Sequence, residues 1–136
     1  MNTLRRLALI LLLTPSLAGA ADGMDYTTAY RCQADATNQD LVDTCSASFP
    51  ELTQSAAEAI SHWRSRNAVK AKLAHDACEA ENKGPSEEAT QFRLQMNGLR
   101  FDLKTDFKLR TEDEGQSACV AALEQLDTGD ADLDFE

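Results

Sequence analysis

The chain has 136 residues, and its 13 Lys and Arg against 23 Asp and Glu give a formal charge of −10. At the level of composition this excludes a nucleic-acid binder, which needs clustered Lys and Arg to neutralise phosphates, and it disfavours anionic lipid surfaces. The acidic excess serves solubility and favours cationic partners, and the length suits one domain with a single modest core.

Met1 to Ala20 has the three parts of a secretory signal: Arg5 and Arg6, the apolar run Leu7 to Leu13, and the small-residue end Leu17, Ala18, Gly19, Ala20. Cleavage is expected after Ala20. The apolar run is too short to span a bilayer, Pro15 interrupts its flank, and no cysteine follows the cleavage point to carry a lipid. The product is therefore expected in the periplasm or outside the cell, without membrane insertion. Loss of Arg5 and Arg6 leaves 11 basic against 23 acidic side chains, a formal charge of −12. The remainder divides into a single helical domain over 21–129 and an acidic tail over 130–136.

From Met24 to Ser48, Tyr26, Ala29, Tyr30, Cys32, Leu41, Val42 and Cys45 are spaced for one broken helix or two short ones, with Asn38 as a cap for the second. Phe49 and Pro50 mark a break, since proline has no amide to donate. Glu51 to Asn82 contains neither Gly nor Pro and repeats Leu52, Ala56, Ala59, Ile60 and Trp63 at helical spacing, with Trp63 the expected core anchor. After Asn67 the stripe resumes as Val69, Leu73, Ala77 and Ala80, rotated around the axis, which predicts a bend or a change of packing partner near Arg66 and Asn67. Gly84 and Pro85 end the element.

Ser86 to Arg110 fits two templates. With a helical period, Ala89, Phe92, Met96, Leu99, Leu103 and Phe107 form one stripe behind a Ser86 cap. With a period of two, Phe92, Leu94 and Met96 pair across an Asn97-Gly98 turn with Leu99, Phe101 and Leu103. Helix is favoured, because an isolated hairpin is marginal unless something covers it. Gly115 then opens a last short helix through Cys119, Val120, Leu123 and Leu126, closing near Gly129, and Asp130 to Glu136 reads as a solvated acidic tail. The fold class is an all-α, disulfide-stapled bundle, with an α+β hairpin fold as the alternative.

Cys32, Cys45, Cys78 and Cys119 are an even set in an exported chain, and four cysteines allow three pairings. An antiparallel bundle with a full-length third helix returns Cys119 toward the start of the long helix. That geometry favours Cys45–Cys119 and Cys32–Cys78, and the hairpin alternative would remove it.

Little in the chain points to catalysis. His62 and His75 do not share a helix face, and there is no Gly-x-Ser-x-Gly elbow. His75, Cys78 and Glu79 lack the partner pair that structural zinc requires. Asp130, Asp132 and Asp134 are spaced like the start of an EF-hand loop, but Phe135 stands where its glycine belongs. No catalytic residue, cofactor or metal site is expected, and the chain reads as a non-enzyme.

The run Cys32 to Ser46 is similar to the opening cysteine region of the LprI-like lysozyme-inhibitor family, small exported helical domains with four cysteines. Gln39 and Cys45 match its Thr-Gln-x-Glu-Met-Asn-x-Cys-Ala motif, and Asn38, Val42, Asp43 and Ser46 are near-substitutions. Leu41 stands where the motif has an acid, the Cys78 to Cys119 interval is longer than in the family, and its tyrosine pattern is not reproduced, so no inhibitory residue is carried over. The functional expectation is a noncatalytic binding protein, such as a periplasmic inhibitor, immunity protein or adaptor, that turns its acidic surface to a basic partner. An envelope stress holdase or structural factor is the alternative.

Overall fold

The computed structural model describes residues 26–136, so the signal segment read from Met1–Ala20 lies outside the described residues. Five α-helices follow in order: α1 Tyr26–Cys32, α2 Ala34–Ser48, α3 Thr53–Glu81, α4 Glu87–Leu109 and α5 Glu112–Thr128, with a 3-10 turn at Pro50–Leu52 before α3. Among the described residues there is no strand. The domain is an all-α bundle closed by two disulfides.

The amino-terminal element is broken at Gln33, whose backbone leaves the helical region, and the buried Gln33 side chain donates from Nε2 to the carbonyl of Met96 on α4 at 2.9 Å. Asn38 is not the expected cap. It lies inside α2, almost completely buried, and donates from Nδ2 to the Tyr30 hydroxyl at 2.8 Å. A short polar side chain that signals a helix start in sequence has here been used to satisfy a buried phenol.

The long α3 is the centre of the bundle, flanked by α2 and α5. Ala56 and Ala59 are the small residues that let these neighbours approach, while Ile60 and Trp63 fill the space between; Trp63 is fully buried. The expected change of packing partner after Asn67 is not seen, because the buried face of Trp63 and Asn67 continues to Ala71. Ala71 is buried, but Val69 and Leu73 are 75% and 66% exposed, so the rotated stripe leaves the core.

The hairpin alternative for 91–110 is corrected by α4, which runs through Asn97 and Gly98 without a positive φ at Gly98. Ser86 Oγ accepts from the Ala89 amide at 3.1 Å, and Glu87 and Glu88 face the positive end of the helix dipole. A strong start thus outweighs the roughly 1 kcal/mol that one glycine costs a helix interior. The helix leans on α1 and α2 through buried Ala89 and half-buried Phe92, Met96 and Leu99, with Leu94 and Phe101 exposed.

The last helix starts at Glu112, a turn earlier than Gly115, because Thr111 and Glu114 form a reciprocal capping box. Gly115 serves close approach instead: a Cβ built there would stand 3.3 Å from the Phe49 ring. Gly129 closes α5 at φ +99°, a conformation that favours glycine.

The disulfides are Cys32–Cys78 and Cys45–Cys119. The first ties α1 to the far end of α3, where few apolar contacts hold it. The second lies fully buried between α2 and α5. Their sequence separations of 46 and 74 residues correspond to loop-closure contributions of about 4 kcal/mol each when taken singly.

Candidate functional site

The segment 130–136 is not the solvated tail expected from its composition. After Gly129 the chain folds back across α3 and packs Leu133 and Phe135 against the core. The anchors come from side chains that reach its backbone. Trp63 Nε1 donates to the Leu133 carbonyl at 3.0 Å, and the Tyr30 hydroxyl donates to the same oxygen at 3.3 Å. Asn67, 1% exposed, accepts from the Phe135 amide at 2.8 Å and donates from Nδ2 to Asp134 Oδ1 at 2.8 Å. Arg66 pairs with Asp134, Lys70 reaches the Phe135 carbonyl, and the Arg31 guanidinium lies 5.1 Å from the Phe135 ring centre. Burying Asn67 on one helix face was invisible as a docking signal, since periodicity marks apolar residues and an amide at a stripe boundary reads as surface.

Between α1, α2, α4 and this segment lies a cavity of about 330 Å³. Tyr30, Leu41 and Leu133 supply apolar wall, Thr37, Asn38 and Thr44 supply polar wall, and Asp40, Asp132, Arg100 and Lys104 supply charge. Asp40 Oδ2 accepts from Arg100 Nε at 2.7 Å and Oδ1 faces Lys104 Nζ at 3.3 Å. The hydrogen bond from Arg100 is the main reason that the Asp40 carboxyl is held below its usual range, against the opposing effect of partial burial, and the same bond raises the Arg100 guanidinium. Asp40 belongs to α2 and the two cations to α4 one turn apart, so the cluster also fixes α4 against α2. No periodicity in the sequence joins residues separated by 60 positions, which is why the cluster was not foreseen.

The residues singled out from sequence do not converge on a site. The four cysteines are all bonded, Trp63 is core and tail anchor, and His62 and His75 lie apart on α3. His62 is exposed and pairs with Asp127 of α5, while His75 Nδ1 lies 2.9 Å from the Cys32 carbonyl. Among the described residues no group of three or more His, Cys, Asp or Glu is placed to hold a metal ion. Of the aspartates that suggested a calcium loop, Asp134 is engaged by Arg66 and Asn67, and Asp130 Oδ1 accepts from the Asp132 amide.

The surface charge is distributed unevenly. Arg64 is bound by Asp35 and Gln39, Arg66 by Asp134 and the carbonyls that end α5, Lys72 by Asp76, and Arg93 by the Asn82 and Gly84 carbonyls. Exposed Glu79, Glu81, Glu87, Glu88, Glu112, Asp113 and Glu124 have no ion-pair partner among the described residues.

Fold and site together define a disulfide-stapled helical domain with an acidic exterior and a partly enclosed pocket whose wall carries charge. No family model, curated protein or solved structure matches the chain. Among the described residues no helix is long and apolar enough to cross a membrane, and two disulfides fit an oxidising compartment.

Proposed function

We propose that the chain is an exported, noncatalytic binding protein whose acidic surface meets a basic partner in the cell envelope or outside the cell. The observation that carries this reading is the division of charge: most of the described cations are held by carboxylates or backbone carbonyls of the chain itself, while a set of exposed carboxylates stands unpaired. Such carboxylates raise encounter rates with cationic surfaces and repel anionic competitors. Their reach falls from about 10 Å at 0.1 M salt to about 3 Å at 1 M.

The test is capture by the mature, oxidised protein from envelope extract at low and high salt, with bound proteins identified by mass spectrometry and the captured species assayed for activity. A dominant basic enzyme, released at high salt and inhibited in the assay, supports an inhibitor or immunity role. Capture that ignores salt removes the electrostatic basis.

A second reading, a stress holdase or structural factor, is favoured by the exposed apolar side chains Val69 and Leu73 on α3 and Leu94 and Phe101 on α4. It requires suppression of aggregation in several unrelated clients, reduced when these residues are made polar.

A further inference from the structure

The pocket between α1, α2, α4 and the carboxy-terminal segment gathers two cations on one wall of an acidic molecule. On a chain of formal charge −10, its α4 wall presents Arg100 and Lys104, and the acid between them is the single carboxylate of Asp40. Asp40 engages both cations at once, and with Asp132 the lining holds two acids and two cations, formally neutral on an acidic chain. Arg100 spends Nε on Asp40, and its two terminal nitrogens, each able to donate, have no hydrogen-bond partner among the described residues. The guanidinium fork suits a second carboxylate.

The apolar part of the lining is of another kind. Leu41, Leu133 and the Tyr30 ring form it, and the Tyr30 hydroxyl is already engaged with Asn38 and the Leu133 carbonyl. The exposed Asp132 on the carboxy-terminal segment is the second acid of the lining, so an anionic head belongs on the α4 cations and not beside it. Thr37, also in the lining, keeps a buried Oγ1 with no hydrogen-bond partner among the described residues. A volume of about 330 Å³ is at the small end of ligand sites.

We infer that this pocket binds a small amphipathic monocarboxylate, its head on Arg100 and Lys104 and a short apolar body against Leu41, Leu133 and the Tyr30 ring. The site goes beyond the proposed partner surface and is tested on the isolated protein, so either can fail without the other.

The probe is octanoate, titrated into the oxidised protein and followed by amide and methyl NMR, with octylammonium and octanol as cationic and neutral controls. Saturable binding is expected with a dissociation constant between about 10 µM and 1 mM. Shifts should centre on residues 37–44, 100 and 133, with contacts between the probe's methylenes and the Leu41 and Leu133 methyls. Arg100→Gln and Lys104→Gln should each weaken binding by about tenfold, the loss of one charge-assisted contact. Each variant leaves Asp40 one cation, and circular dichroism checks that the helices persist. The inference is overturned by octylammonium binding as tightly as octanoate, by shifts scattered over Val69, Leu73 and Leu94 instead, by folded variants that bind unchanged, or by no saturable binding up to about 5 mM.

Discussion

Replacing Asn67 with alanine isolates what the carboxy-terminal segment contributes. The substitution removes a bond to the Asp134 carboxylate, about 1.5 to 3 kcal/mol for a charged acceptor, and a bond from the Phe135 amide, about 1 kcal/mol. Asp134 keeps Arg66 at 3.4 Å, which places the first contribution at its lower end. Alanine in place of asparagine within α3 returns about 0.6 kcal/mol of helix propensity. The net expectation is a loss of about 2 kcal/mol, or about 8 °C in midpoint for a domain of this size. Urea and thermal unfolding of the oxidised protein measure it, with truncation after Asp130 as the companion. Truncation should cost at least as much as Asn67→Ala and should make a subsequent Asn67→Ala nearly neutral, since the partners are then gone. A solvated tail would give no change on truncation. If Asn67→Ala or the truncation shifts stability by less than about 0.5 kcal/mol, the docked segment is not an energetic part of the fold.

Three further perturbations bear on separate parts of the structure. Gly98→Ala should stabilise by about 0.5 to 1 kcal/mol in urea unfolding, because a Cβ there meets nothing within 4 Å and the backbone is helical; destabilisation would instead favour a turn at Asn97-Gly98. Gly129→Ala should destabilise by more than about 1 kcal/mol, since its φ of +99° is strained for alanine and the new Cβ would stand 2.7 Å from Asp134 Oδ2; unchanged unfolding would refute that geometry. The lowered Asp40 carboxyl contributes stability that is fully present above its unfolded value near 4 and is lost as pH falls through its lower folded value. Asp40→Asn should therefore flatten the acid limb of the stability profile below about pH 4, and an unaltered limb would show that the Arg100 pair has no energetic weight.

The parts legible from sequence are those governed by local chemistry. Ser86 followed by two glutamates announces a helix start, Gly84-Pro85 and Gly129 announce ends, and the Ala56, Ala59, Ile60, Trp63 spacing marks the face that becomes the core. The disulfide pairing followed once helices were taken to alternate in direction. What stayed hidden depends on polar side chains used across long separations. Asn38 read as a cap and is a buried partner of Tyr30; Asn67 read as a bend and is the clamp on the last residues; Asp132 and Asp134 read as a solvated run and are parts of a packed segment. Composition assigns Asp-rich ends to solvent because most lack partners. Here the interleaved Leu133 and Phe135 carry the burial and the side chains of α3 answer the backbone polar groups.

That same segment makes fold stability and pocket occupancy one problem. Leu133 packs against the core, accepts from Trp63 and Tyr30, and lines the pocket, so releasing the segment removes a wall from any ligand held there. Binding that favours the docked segment must stabilise it in turn, by the reciprocity of linked equilibria. Octanoate at a hundred times its dissociation constant would add about 2.7 kcal/mol to the wild-type domain. In the chain truncated after Asp130 the same concentration should add far less, because the Leu133 wall is absent while Arg100 and Lys104 remain. Equal stabilisation of both proteins would place the probe on the cations alone and detach the pocket from the docked segment. A stabilisation confined to the full chain requires both halves of the site, the charge on α4 and the apolar wall that the last residues bring.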